Sequence, residues 1–470
     1  MKVQSMHFKA RAGTHLADQR LQTNLKRLSN KFVSARAQAV ADLPEFEAIR
    51  DAAVEIRNRT LQNLDLWLEQ FEFEAARRGA SVLYAETAEQ AAQLVVQIGL
   101  QHGVTQAIKT KSMVSEEIAL NAALSAAGIT PVETDLGEYI LQINDNEAPS
   151  HIIAPVVHKD KEEIADLFAK VHQRPRLSDI SAMTREAREM LRPRFLSATM
   201  GITGANFLVA ETGSAALVTN EGNEGMCTIM PTAVHVVLTG IEKVLPTLED
   251  LATMMRLLPR SATGQVISNY FTLLTGPKGE KEEDGPQHMV FVLVDAGRSG
   301  LLGGEFEAML RCIRCGACMN HCPVYQKIGG HSYGWVYPGP MGSVLTPSYA
   351  GLENALDLPQ ASTLCGECHV VCPVKIPLPD LLRKLREKQF ERGLRPWSER
   401  LGFRIWGFVA RRPVLYRVLT AMAVRVLHWM GGKRGMISRL PLGREWTQYR
   451  DMPAPPGRTF SQMYKDRFDK

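Results

Sequence analysis

No stretch of about 20 residues in this 470-residue chain is both apolar and uncharged, so the sequence predicts no membrane-spanning helix. Its opening residues, MKVQSMHFKARAGTHLADQR, lack an apolar segment, and no secretory signal is expected. Neither a Gly-x-Gly-x-x-Gly nor a Walker run is present, which leaves nucleotide binding by the common devices unsupported. No motif supports nucleic-acid binding either. Cysteine is scarce, with eight residues in all, and a disulfide framework does not suit a long chain without a signal. What remains, 45% apolar and 22% charged residues, is the composition of a soluble globular protein of two to three domains. Reduced thiols and the missing signal together predict a cytoplasmic protein.

The few cysteines are not scattered. Seven fall in two runs, Cys312-x2-Cys315-x2-Cys318-x3-Cys322-Pro323 and Cys365-x2-Cys368-x3-Cys372-Pro373. The first is the bacterial ferredoxin spacing, in which the last cysteine ligates the other cluster. Two-residue loops aim successive sulfurs at neighbouring irons of one cubane, and the longer step carries the fourth thiolate to the second. Crossed ligation assigns Cys312, Cys315, Cys318 and Cys372 to cluster one, and Cys322, Cys365 and Cys368 to cluster two. Three residues before Cys365, where a full repeat has its fourth cysteine, stands Ser362. Cluster two is therefore either a [4Fe–4S] with Ser362, water or a partner group on its odd iron, or a [3Fe–4S]. A zinc site, commonly built from paired C-x2-C knuckles, fits seven thiols in this pattern poorly. The eighth cysteine, Cys227, reads as a small buried apolar residue. The aromatic and glycine-rich link from Tyr325 to Ser343 is positioned to shield the clusters, and His331 and His369 are minor candidates as ligands.

Hydrophobic periodicity divides the rest. Residues 1–78 carry apolar residues three and four apart and read as helices. From Ala80 strands and helices alternate: SVLYAET, a helix to Gly103, QAIKTKSM, a helix opened by Ser115-Glu116-Glu117, TPVETDL, SHIIAPVVH, and a helix from Lys159. After a charged helix come FLVAETG, SAALVT, HVVLTG, GQVISNYFTLLTGPK and HMVFVLVD as strands. Such alternation predicts a three-layer α/β domain on a mostly parallel sheet over 79–304. The cluster domain follows at 305–380 and a basic helical region at 381–470.

That last region holds 21 Lys and Arg against 7 Asp and Glu, whereas the rest of the chain is net acidic. Helically spaced Phe403, Trp406, Leu415, Met422 and Trp429 lie among its arginines. A docking helix for the protein or a partner subunit is one reading; a peripheral contact with an anionic membrane face is the other.

Ligands of open α/β sheets bind beyond the carboxyl ends of strands. Four segments qualify: Lys109, Lys111 and Ser112 at one strand end, Glu211-Thr212-Gly213-Ser214 and the glycine turn containing Asn223 at others, and Thr275-Gly276-Pro277-Lys278 at a further one. These form the candidate pocket of the α/β domain, with glycine turns as ordinary turns the alternative.

In KTKSMVSEE, VAETGSAALVTNEGN, CIRCGACMNHCPVYQKIGGHSYGWVYPGPMG and the stretch from Ser362 through CGECHVVCPVKIPL, the chain resembles the lactate utilization protein B family over nearly its whole length. The gap at Ser362 is similar to the family's own pattern. The resemblance implies a LUD-type domain like the CoA-transferase and ribose-isomerase (NagB/RpiA-like) folds, with a ferredoxin-like insert. It implies two iron–sulfur clusters, most simply two [4Fe–4S], in an electron-transfer subunit. It further implies work beside two companion lactate-utilisation subunits, one an iron–sulfur protein and the other a LUD-domain protein, in oxidising L-lactate to pyruvate. Two alternatives stand beside it: an equivalent subunit for another 2-hydroxy acid such as glycolate, and a CoA-transferase or isomerase with structural clusters. The resemblance implies a non-catalytic or co-catalytic subunit of an L-lactate dehydrogenase complex.

Overall fold

The computed structural model describes residues 3–468 except Leu442 and Tyr449. Residues up to Gln389 form one compact unit and those from Phe390 another.

The first unit opens with four helices, Phe8–Ala17, Gln19–Ala41, Phe46–Gln62 and Leu64–Arg77. The second begins where Asp18 accepts the Leu21 N–H at 3.0 Å, satisfying one of the orphan donors of a helix start. Ten strands follow: β1 (Ser81–Ala85), β2 (Gln106–Lys109), β3 (Thr130–Glu133), β4 (Met200–Thr203), β5 (Phe207–Val209), β6 (Ser214–Thr219), β7 (Val234–Gly240), β8 (Val244–Leu245), β9 (Tyr270–Leu274) and β10 (His288–Val294). Six make a wholly parallel sheet in the order β1-β10-β7-β4-β2-β3. Its central strand VHVVLTG is buried at every position, as expected where both faces are covered.

The two-residue period sorts the faces. Val236, Leu238, Val290, Val292 and Val294 meet the helices Ala88–Gln101 and Leu120–Ala126 on one side. Val237, Phe291 and Leu293 meet Phe71 and Ala75 of the helix Leu64–Arg77 on the other, together with Leu208 and Val244 of a second sheet. That sheet, β8-β5-β6-β9, is mixed. Three layers result, with both sheets in the α/β portion.

The structure corrects several expectations. SHIIAPVVH is not a strand but a run of bends and turns. Its backbone is engaged elsewhere: the Ser150 carbonyl accepts the Tyr325 hydroxyl at 2.7 Å, and the Ser150 hydroxyl accepts the Gly330 N–H at 3.2 Å. The helix expected from Ser115 is two helices, Met113–Glu117 and Leu120–Ala126, separated by Ala119 at φ 55°. Its cap is Ser112, whose hydroxyl accepts the Ser115 N–H at 3.3 Å. Sequence periodicity gives no sign of β4 or of the helices Leu136–Ile143, Asn223–Ile229 and Leu248–Ala262. β4 contains Gly201, where a Cβ would lie 2.0 Å from the Cys227 carbonyl oxygen; the close helix crossing requires glycine there.

Beyond Val294 the first unit continues through short helical turns holding the two cysteine runs, with the helix Gly339–Ala350 between them, and ends in most of Leu378–Glu391. In the second unit, Trp397–Ala410 and Pro413–Gly431 are helices, followed by the short antiparallel pair Met436–Ile437 with Met452–Pro453. Among the described residues no helix is long and apolar enough to cross a membrane.

Candidate iron–sulfur site

Cys315, Cys318 and Cys322 recur at a fixed offset as Cys365, Cys368 and Cys372, and the same offset carries Cys312 onto Ser362. The backbone repeats as well. Arg314 (φ 58°) and Gly316 (φ 77°) bracket Cys315, and Leu364 (φ 56°) and Gly366 (φ 91°) bracket Cys365. Each left-handed pair opens a one-turn helix, Ala317–Asn320 or Glu367–Val370. Left-handed backbone is strained for Arg and Leu, and its appearance twice at matching positions indicates a shape imposed by the motif. The tight turn frees N–H groups to face sulfur: Ile376 N–H reaches Cys372 Sγ at 3.4 Å, and Cys315 and Cys322 receive N–H bonds from Ala317 and from Tyr325 and Val324.

The expected ligation puts Cys312, Cys315, Cys318 and Cys372 in group one and Cys322, Cys365 and Cys368 in group two. Cys372 interacts electrostatically with Cys315 and Cys312, while Cys318 interacts with Cys312, Cys315, Cys372 and Cys368. Cys322 interacts with Cys365, and Cys368 with Cys322, Cys365 and Cys372, so the two runs bring their thiols into one neighbourhood. Burial first, then the neighbouring thiols, pushes Cys315 and Cys368 up to about 12 and Cys372 to about 11. A buried set of thiols that repel one another on ionising, with backbone donors aimed at the sulfurs, fits a soft cationic centre that compensates thiolate charge. In group one Cys315 and Cys372 are buried and Cys312 and Cys318 half-buried. Group two reaches the surface, because Cys365 is exposed. Ser362 is half-buried, and its hydroxyl accepts the Leu364 N–H at 3.1 Å.

Cations surround group one. Arg50 donates to the Cys372 carbonyl at 2.6 and 3.1 Å and to Val370 at 2.9 Å, and Arg36 to Val371 at 2.9 Å. Arg57 donates to Leu310 at 3.0 Å and Val244 at 2.9 Å, and also to the Glu242 carbonyl. Burial, with Arg314 nearby, lowers Lys243 to about 8. At group two Arg386 donates to the Ser362 carbonyl at 3.0 Å.

These cations join a buried network on the carboxyl edge of the parallel sheet. Arg298, in the turn after β10, meets both Glu117 oxygens at 2.8 and 2.9 Å and the Glu242 carboxylate at 2.8 Å. Arg314, inside the first cysteine run, reaches Glu242 at 3.4 Å and stacks 5.0 Å over the Tyr337 ring. Tyr337 hydrogen-bonds Glu117. Burial works against the Glu242 carboxylate, but Arg298 and Arg314 outweigh it and hold it down to about 2. Sequence reasoning missed Arg298, Glu117 and Glu242 because their partners lie far along the chain; only Arg314, within the C-x2-C loop, carried a local signal.

The candidate pocket of the α/β domain divides in two. Lys109 is buried, with its ammonium 2.8 Å from Glu133 and 3.3 Å from Glu116. Lys111 faces Asp135 at 3.5 Å, Ser112 caps a helix, and the Asn223 amide donates to Thr134 at 3.1 Å. Glu211, Thr212, Gly213 and Ser214 lie apart on the second sheet. Glu211 accepts the Leu248 N–H at 2.9 Å, and Ser214 donates to Thr275 at 3.1 Å. At Gly213 (φ 65°) a Cβ would lie 2.2 Å from the Ala75 nitrogen. A cleft of about 1210 Å³ is lined by Glu116, Glu133 and Glu138 together with Arg174 and Arg194, and burial beside Asp135 raises Glu138 well above the usual carboxylate value. Cys227 is buried against Thr134 at 3.4 Å. His369 bonds the Ile376 carbonyl at 3.0 Å, and His331 the Ala148 carbonyl at 2.7 Å.

An α/β domain joined to two cysteine runs of ferredoxin spacing defines an iron–sulfur protein, and three family models agree: LUD domain at 68–294, 4Fe-4S dicluster domain at 308–376, and lactate utilisation protein B, C-terminal, at 383–468. Proteins named lactate utilization protein B from Lysinibacillus sphaericus and Geobacillus kaustophilus are each 42% identical over 99% of this chain and 98% of their own length. That from Anoxybacillus flavithermus is 41% identical over 99% of both. The chain belongs to the lactate utilization protein B family. A solved structure, of a DUF162 family protein from Deinococcus radiodurans, covers 49% of this chain and 98% of its own at 13% identity, with a TM-score of 0.26, too distant to inform the site.

Proposed function

We propose that this chain is the iron–sulfur electron-transfer subunit of a system that oxidises L-lactate to pyruvate, with Cys312, Cys315, Cys318 and Cys372 holding one [4Fe–4S] cluster and Cys322, Cys365 and Cys368 the second. The observation that carries it is the meeting of thiols from the two runs, on a chain whose relatives are named for lactate utilization. When bound, such clusters take up and release single electrons. Ser362 is the protein group nearest in sequence to the second cluster's open corner, where the centre is a [4Fe–4S] with a non-cysteine ligand or a [3Fe–4S]. The chain's own part is to bury Cys315 and Cys372 of group one, leave group two accessible at Cys365, and supply cations that stabilise an added electron.

The domains we assign are a helical region at 1–78, an α/β domain of CoA-transferase-like type at 79–304, the cluster domain at 305–380 and a basic region at 381–470. A transferase reading draws little support, because Glu211 uses its carboxylate to cap a helix. For partners, the helix Pro413–Gly431 exposes Val414, Val418, Met422, Val426 and Trp429 among its arginines. A helix apolar over so much of its surface is ordinarily covered, which supports docking of the companion iron–sulfur and LUD-domain proteins there.

Iron and sulfide counts with EPR on anaerobically purified protein test the cluster assignment. About eight irons are expected for two cubanes, about seven for a three-iron centre, and a metal-free protein after reconstitution would overturn the assignment. Growth of a deletion strain tests the substrate: loss of growth on L-lactate is expected. Normal growth on L-lactate with failure on glycolate would transfer the role to the other 2-hydroxy acid.

A further inference from the structure

The geometry points to a divalent-cation site, separate from the cysteine groups, formed by Glu147, His158 and His331. One ligand atom from each lies within 4.8 Å of the others. The three come from different parts of the chain: Glu147 follows the helix Leu136–Ile143, His158 ends the turn segment that stands in place of the expected strand, and His331 lies between the cysteine runs. The His158 ring meets the His331 ring edge to face at 4.5 Å between centroids.

The hydrogen bonds around this cluster leave its inner atoms for a ligand. Glu147 uses Oε2 on Asn144 at 2.7 Å and on Lys159 at 2.7 Å, so Oε1 is the oxygen that faces His158 Nε2, at 3.0 Å. His158 and Lys159 pair with this carboxylate and hold it well below the usual carboxylate range, while neither ring nitrogen of His158, both buried, has a further hydrogen-bond partner. Buried polar atoms are rarely left this way, and a bound ion is one of the recognised reasons. His331 donates Nε2–H to the Ala148 carbonyl at 2.7 Å. This fixes the tautomer and leaves Nδ1 with its lone pair, the outer-shell arrangement typical of metal-bound imidazole. Burial lowers His331 to about 4, so the ring is neutral, the form that ligates. His15 stands next to the group, its ring 6.3 Å from His331 and its Nδ1 on Ser332 at 2.7 Å.

Two imidazoles and a carboxylate are borderline nitrogen and oxygen donors, the set that suits zinc-like divalent ions and not a cluster built on thiolates. Closing to metal–ligand bonds of about 2.0–2.2 Å requires only small side-chain shifts. A cation here ties the cluster domain to the α/β domain, with three protein ligands and a fourth position left for water.

The test uses the full chain, purified anaerobically with its clusters, dialysed against buffered zinc and analysed for zinc, iron and sulfide together. Wild type should retain one zinc per chain beyond the iron. His158→Ala and the conservative Glu147→Gln should each weaken zinc binding about tenfold or more with iron and sulfide unchanged. Zinc should also raise the melting temperature of wild type and not of E147Q. Equal zinc content in wild type and both variants, or zinc gained only as iron is lost, would overturn the site. Because iron is counted in the same samples, failure of the cluster assignment is read independently.

Discussion

Arg298 is the residue on which the edge of the sheet turns, and Arg298→Met measures what it holds. The side chain is fully buried and neutralises two carboxylates, Glu117 and Glu242, at 2.8–2.9 Å. Methionine fills similar volume but leaves both charges buried and uncompensated. Removing one partner of a buried ion pair costs about 3–5 kcal/mol. Arg314 at 3.4 Å compensates part of the Glu242 charge, which keeps the expected loss within that range although two pairs are broken. The melting midpoint, followed anaerobically by far-ultraviolet circular dichroism, should fall by on the order of 5–10 °C. The acid side gives an independent sign. Glu242 is held at about 2 against an ordinary 4.5, so its contribution is present above pH 4.5 and is lost as pH falls toward 2. In the variant that contribution is missing, so the gap between the proteins should be widest near neutrality and narrow below pH 4.5. The triple variant R298M/E117Q/E242Q should recover part of the loss, because the uncompensated charges are gone. A single variant within about 1 kcal/mol of wild type, or a triple variant no better than the single, would refute the reasoning.

Cys372→Ser should remove about half the iron while Cys322, Cys365 and Cys368 keep theirs, whereas ligation within each run would tie Cys372 to Cys365 and Cys368; iron and sulfide analysis decides. Gly330→Ala should destabilise by about 1–3 kcal/mol, since a Cβ would lie 1.9 Å from the Ser150 carbonyl oxygen, while Gly300→Ala, with nothing within 4 Å, should be near neutral in the same melts. Lys243→Gln removes a buried cation in electrostatic contact with Cys312, so the potential of the proposed first cluster should fall by on the order of tens of millivolts in an EPR-monitored titration, with the second unchanged.

Local chemistry is legible in the sequence, and long-range partnership is not. The C-x2-C spacing specifies turns, so the matching left-handed turns at Cys315 and Cys365 and the parallel strands of VHVVLTG and HMVFVLVD follow from patterns a few residues long. SHIIAPVVH misleads because its apolar residues read as a strand while Ser150 bonds Tyr325 and Gly330, 175 and 180 positions away. Glu211 looks like a ligand group at a strand end, yet it caps a helix that begins 37 positions later. Lys109 stands out as a charged group at a strand end, but the carboxylates that neutralise it come from neighbouring elements and change its meaning from anion receptor to buried ion pair.

The carboxyl edge of a parallel sheet is where α/β proteins ordinarily bind small ligands, and here much of that edge is covered by the chain itself. Tyr337 and Arg314 of the cluster domain take the contacts to Glu117 and Glu242. Arg57, Arg298, Arg314 and Lys243 meet there within a few side chains of Cys312. A sheet edge that carries oriented charge is suited to fixing an electrostatic environment, and an anionic thiolate cluster placed against it has its charge offset by cations that cannot relax away. The domain that elsewhere would hold a substrate thus acts here, on the proposed reading, as the polar wall of a redox centre.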